Sequence, residues 1–163
     1  MMSFEIIPAF NEKDLDEKGY VHWKSWQETY SNMMPNDFLS NITLEKCVIM
    51  AHKQPQNTLL LKVDGRVVGF SCYKESMNSE LANELIALYL LKEYHGQKLG
   101  YALLNATIKK MKNGRDVLLW VLKGNDRAIR FYKRCGFVFT GKEKNLPFGT
   151  EIQMAMKLNN KRG

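Results

Sequence analysis

The chain has 163 residues with 45% apolar and 25% charged positions, and its 24 lysines and arginines against 17 acids give a net charge of +7. This suits one domain with a sizeable core and is short for two. No apolar run approaches the roughly 18 residues of a membrane span, and no basic segment leads into a long apolar stretch, so a soluble, cytoplasmic protein without a membrane partner is expected.

In chain order, Ser3 to Phe10 has strand composition. Asn11 to Tyr30 reads as a helix with acids at its start and Leu15, Val21, Trp26 and Tyr30 among its apolar positions, and Pro35 interrupts it. A second helix runs on from Thr43, which can cap it with Lys46 at the third helical position. Thr58–Val63 and Val67–Tyr73 are two strands across Asp64-Gly65, a pair that tolerates the positive φ angles of a tight hairpin. A buried strand at Glu84–Leu91 precedes a helix from Lys98 to Met111. A strand at Val117–Leu122 then leads to a helix from Asp126 to Arg134 that stops at Gly136. Phe137–Gly141 and Thr150–Leu158 form a last strand pair. Residues 1–158 make one domain, and 159–163 are a polar tail.

The strand-to-helix turn EYHGQKLGYALL, with Gly96 and Gly100, leaves the first N–H groups of its helix free for phosphate oxygens, although a glycine in such a turn can equally be structural. Charge points the same way. From Lys92 to Arg134 there are eleven cations against three acids, and the remainder of the chain sums to −1. A polyanionic ligand would be drawn to that segment, although Lys109, Lys110 and Lys112 suit a solvated helix end. Nucleic acid is the other class of partner for basic surface, but no helix-turn-helix, zinc-finger spacing or ribonucleoprotein motif is present, so none is expected. Cys47, Cys72 and Cys135 are odd in number and outside any C-x-x-C pattern, and His22, His52 and His95 have no ligand spacing. Free thiols and no metal are expected.

The order β-α-α-β-β-β-α-β-α-β-β, with the glycine turn and the block NDRAIRFYKRCGF in its second half, resembles the GNAT superfamily of N-acetyltransferases over nearly the whole chain. The resemblance implies an α/β fold: a mixed, mostly antiparallel central sheet of about seven strands flanked by about four helices. It also implies acetyl-CoA as cosubstrate. The family's turn, Q/R-x-x-G-x-G/A, falls on His95, Lys98 and Gly100, so that His95 stands for Gln or Arg and Lys98 for the first glycine. The family's N-x-x-A-x-x-F/L-Y-x-x-x-G-F falls on Asn125, Ala128, Phe131-Tyr132 and Gly136-Phe137.

By this resemblance the coenzyme is held by the backbone of Leu88, Tyr89 and Leu90 on a splayed strand, by His95, Gly96, Gln97, Lys98, Leu99, Gly100 and Tyr101, and by Asn125 and Lys133. Tyr132 lies near the sulfur, where a phenol can protonate the leaving thiolate. A core aromatic and a helix cap are the plainer roles for Tyr132 and Asn125. Glu84 is the candidate base for the amine, since Trp120 stands where some members have a glutamate five residues before the Asn. WKSWQETYSNMMPNDFL resembles a subgroup that includes polyamine acetyltransferases, so Trp23, Trp26 and Tyr30 with Glu28 and Asp37 are candidates to wall in a cationic amine. Small amines, amino acids, antibiotics and protein N-termini stay open as acceptors, and a homodimer stays open too. Behind the acyltransferase reading stand a coenzyme-binding sensor without turnover and, third, a basic nucleic-acid-binding module.

Overall fold

The Asp64-Gly65 turn organises the first half of the sheet. In the computed structural model, which describes residues 3–76, 82–111 and 114–158, Asp64 (φ 50°) and Gly65 (φ 83°) are both left-handed, a pairing whose twist matches antiparallel strands. They join β2 (Thr58–Val63) to β3 (Arg66–Lys74), and β1 (Phe4–Pro8) adds to the outer side of β2. The polar tail expected at 159–163 lies outside the described residues.

Helix α1 (Glu12–Tyr30) begins where the Asn11 side chain accepts from the Asp14 N–H at 2.8 Å. Asp14, itself buried, also holds the Lys62 ammonium of β2 at 3.0 Å, which pins α1 to the sheet. Helix α3 (Leu44–Lys53) starts on the expected cap, Thr43, whose hydroxyl accepts from the Lys46 N–H at 3.2 Å. It crosses α1 at Gly19, where an added Cβ would lie 2.6 Å from the Val48 Cα. Between them lies α2 (Asn36–Ser40), a short helix entered through Pro35. The structure therefore has five α-helices where about four were expected.

β4 (Asn83–Leu90) runs antiparallel to β3, but the register slips between Cys72, opposite Ala87, and Tyr73, opposite Leu85, leaving Ile86 as the extra residue of a bulge. A bulge bends its strand. The chain crosses through α4 (Leu99–Lys110) to β5 (Val117–Leu122), and β4 meets β5 in parallel only at Asn83↔Val117 and Glu84↔Leu118. Beyond these two rungs the strands part. β7 (Gly149–Met156) pairs with β5, and β6 (Val138–Leu146) forms the edge, so the seven strands lie in the order β1-β2-β3-β4-β5-β7-β6. The last helix, α5 (Asp126–Arg134), is capped by Asn125 and leaves through Gly136 at φ 106°.

The sheet break divides the core. Leu60, Leu61, Val68 and Phe70 belong to one buried cluster, and Leu119, Val121, Phe137 and Met154 to another. Helix α4 serves both, with Leu99 and Leu103 in the first and Leu104 in the second. A buried 2.6 Å hydrogen bond between the Thr107 and Ser71 hydroxyls ties α4 to β3. Among the described residues no helix is long and apolar enough to cross a membrane.

Candidate active site

The parting of β4 from β5 opens a cavity of about 930 Å³. Along it, the main-chain groups of β4 that face β5 have no strand partner, and such groups call for a polar ligand or water. One end is the turn into α4. Gly96 has φ 81°, and Lys98, the residue before the helix, is left-handed at φ 64° with no side chain capping the first turn. The helix thus presents free N–H groups and its positive dipole end beside the cavity. Arg127, Arg130 and Arg134, spaced along one side of α5, line the same cavity. A phosphate-bearing carrier with an amide arm fits this construction: the cations and the helix end suit the phosphates, and the unpaired strand suits the arm.

Tyr132 reaches the cavity from α5. Its ring packs edge-on against Phe131 and Phe137, at 5.3 and 5.6 Å between centroids. Burial, with Tyr30 and Cys135 adding, raises its pKa far above the usual phenol value, so the hydroxyl keeps its proton. Tyr89 faces it from β4 and is held protonated too, chiefly by burial and then by the neighbouring Tyr30 oxygen. Burial also raises Tyr30, outweighing its hydrogen bond with Tyr89, and the charge of Glu151 adds to the rise. Trp26 stacks edge-on with Tyr30 at 4.9 Å, and Phe38 of α2 meets Phe148 of the β6–β7 turn at 4.9 Å, so aromatic rings cluster at this end of the cavity.

Most of the residues expected at the site are brought together. Leu88, Tyr89, Leu90, His95, Gly96, Lys98, Gly100, Tyr101, Asn125, Tyr132, Trp26 and Tyr30 all line the cavity. Asn125 is buried and accepts from the Ala128 N–H at 3.4 Å, so it is also the helix cap. His95 donates from Nε2 to the Leu90 carbonyl at 2.9 Å, and burial lowers its pKa. That bond ties the end of β4 to the turn.

Other expected residues lie elsewhere. Leu99 is buried in the core, and Gln97 donates to the Glu93 carbonyl at 3.4 Å. Lys133 sits over the Phe139 ring at 4.6 Å and is not among the residues that line the cavity. Glu28 accepts from the Lys92 N–H at 3.0 Å, fixing a 3-10 turn at Lys92–Tyr94, and lines an adjoining pocket together with His95, Gly96, Asn125 and Arg127, whereas Asp37 is exposed. Glu84 lies at the paired end of β4, outside the cavity lining. The carboxylate that does line it is Glu151 of β7, which sequence reasoning missed together with Phe148, while the three arginines were counted only in the charge of their segment and not singled out as site residues. The i, i+3, i+7 spacing of Arg127, Arg130 and Arg134 was the available signal for the last.

Two consequences can be measured here. A side chain at positive φ costs about 1–2 kcal/mol, and glycine is free of that cost. Lys98→Gly is therefore expected to raise the melting temperature by about 2–8 °C with coenzyme affinity intact or tighter; a lower melting temperature would mean that the lysine holds the turn by contact. The second concerns His22, which stacks on Tyr89 behind the cavity with ring centroids 6.0 Å apart. Burial and the nearby Lys18 ammonium lower its pKa from 6.5 to about 4. Between those values the unfolded chain binds more protons than the native one, so stability is complete above pH 6.5 and is lost as the pH falls toward 4. At pH 5 the loss is roughly 2 kcal/mol, or about 4–8 °C of melting temperature. His22→Phe should flatten that dependence, and an unchanged slope would assign it to other groups.

The profile of the Acetyltransferase (GNAT) family matches residues 19–137. The uncharacterized N-acetyltransferase YuaI of Bacillus subtilis is 28% identical over 127 residues, 74% of this chain and 73% of that protein. An N-alpha-acetyltransferase of Sulfurisphaera tokodaii is 34% identical over 88 residues, 47% of this chain and 53% of that protein. The chain spans about half the length of several such relatives. The crystal structure of the PaiA N-acetyltransferase of Thermoplasma acidophilum, in complex with coenzyme A, is similar with a TM-score of 0.75 and 27% identity, over 96% of this chain and 99% of that one. Because the matched segment takes in the sheet break, the turn into α4 and the block from Asn125 to Phe137, the chain belongs to the GNAT family of acetyltransferases.

Proposed function

We propose that this protein transfers an acetyl group from acetyl-CoA to a primary amine by direct attack within a ternary complex, with Tyr132 as the acid toward the departing thiolate. The observation that carries this reading is the place of Tyr132 in the lining of the cavity where β4 and β5 part, with burial favouring its neutral, proton-bearing form. Acetyl-CoA supplies an activated thioester. The free N–H groups at the start of α4 and the arginines of α5 would hold its phosphates, and the unpaired edge of β4 its amide arm. The amine attacks in its neutral form after giving a proton to water, and Tyr132 donates its proton as the C–S bond breaks and negative charge gathers on sulfur. The proton that the nitrogen sheds as the amide forms passes to solvent, from which Tyr132 regains one. Relatives bear names that include N-alpha-acetyltransferase and mycothiol acetyltransferase, so both protein N-termini and small molecules are represented among them.

The test is a thiol-release assay with acetyl-CoA over a broad panel of amines, alongside melting with and without coenzyme. A ligand selective for the native state adds about 2.7 kcal/mol at a hundredfold excess over Kd. Thiol release that depends on an amine supports transfer. Stabilisation by coenzyme without release from any amine would favour a sensor, a reading to which the left-handed Lys98 in the glycine position lends some support.

A further inference from the structure

The cavity is electrically lopsided. Lys98 and the α5 arginines lie along the coenzyme side, whereas among the described residues Glu151 is the one carboxylate in the lining. It stands on β7 opposite Leu122 of β5 and Lys144 of β6, so three paired strands hold it in place. Its side chain is only 22% exposed, yet among the described residues nothing donates a hydrogen bond to it. The nearest cation, the Lys144 ammonium, stops at 3.7 Å while lying over the Trp120 ring at 4.3 Å from its centroid. An alkylammonium between an aromatic face and this carboxylate is therefore already present in the fold, supplied by the chain itself.

We infer that Glu151 is the recognition residue for the acceptor, and that it selects a primary alkylammonium carried on an apolar body. The chemistry of the wall supports that body: Trp26, Tyr30 and Phe148 offer aromatic surface beside Glu151, and its charge reaches the Tyr30 hydroxyl. A half-buried carboxylate with open hydrogen-bonding capacity favours a cationic donor over a neutral one, since charge-assisted bonds are about twice as strong. Lys144 competes weakly, being held off the carboxylate by its seat on Trp120. The assignment rests on the acetyltransferase reading for the meaning of the site, and the binding preference itself can be measured without turnover.

The probes are n-hexylamine, protonated at neutral pH, and n-hexanol, its uncharged counterpart. Both are titrated against tryptophan fluorescence, which Trp26 and Trp120 in the lining should report, with and without coenzyme A. Hexylamine is expected to bind about tenfold more tightly than hexanol. Glu151→Gln should abolish the preference while keeping the melting shift with coenzyme A, which shows that the variant is folded. Lys144→Met, with Glu151 intact and its competitor removed, should widen the preference. Equal binding of the two probes by the native protein, a preference that survives Glu151→Gln, or a narrower one in Lys144→Met overturns the assignment. A preference lost in Glu151→Gln, without thiol release from any amine in the native protein, would uphold the cation site and defeat the acetyltransferase reading alone.

Discussion

Replacing Tyr132 by Phe is expected to slow acetyl transfer by roughly 10²–10⁴, the scale of a positioned acid, while leaving coenzyme affinity nearly unchanged. The substitution keeps the ring that packs on Phe131 and Phe137 and removes only the oxygen. Because burial raises the hydroxyl's pKa above the ordinary phenol range, the donor form persists through neutral and mildly alkaline pH. The rate ratio of native protein to variant should therefore stay level from about pH 6 to 9. Single-turnover rates over that range, with coenzyme affinity measured separately, decide the matter. Equal rates would make Tyr132 a packing residue, and a ratio that collapses toward pH 9 would mean that the phenol ionises after all.

Gly19→Ala is expected to be the most damaging small substitution in the first half of the chain. The new methyl would meet the Val48 Cα at 2.6 Å, its Cγ2 at 2.6 Å and its N at 2.9 Å. Two of these are backbone atoms, so no rotamer change relieves the overlap and α1 must lift from α3. Overpacking of this kind costs about 1–3 kcal/mol or more, a fall of about 2–12 °C in melting temperature for a chain of this size. Adding Val48→Ala should recover only part of the loss, since it removes Cγ2 and leaves the main chain. Full recovery would show that the side chain alone made the contact tight.

Where neighbouring residues decide a conformation, it was legible from the sequence. Asp64-Gly65, Thr43 with Lys46, and Gly136 behave as their chemistry dictates, because each answers to atoms within four residues. The five-residue α2 is too short to show a helical period. β6 continues to Leu146, past the Gly141 where the expected strand stopped, because it lies exposed at the sheet edge and its sequence TGKEKN has no apolar alternation to reveal it. The cavity wall built from β4, the turn into α4 and α5 was readable because its parts come in one stretch, from Leu88 to Tyr132. Even there, a linear motif selected Lys133, whereas the helical face selected Arg127, Arg130 and Arg134. The opposite wall was mostly hidden. Glu151 and Phe148 reach the cavity because β7 inserts between β5 and β6, a pairing that no local pattern announces. Glu84 read as near the site because its strand is, yet it falls on the two rungs where that strand is still paired.

Those two rungs have a mechanical meaning. With the core divided at the break, the halves of the molecule are clasped by Asn83 and Glu84 on one side and spanned by α4 on the other, like two leaves on a short spine. A carrier lying in the opening would serve as the absent rungs, so holding the cosubstrate and holding the leaves together become the same free energy seen from two directions. Loosening α4 from either leaf, at Leu103 or at Leu104, would then register as weaker carrier binding without touching any group that contacts it.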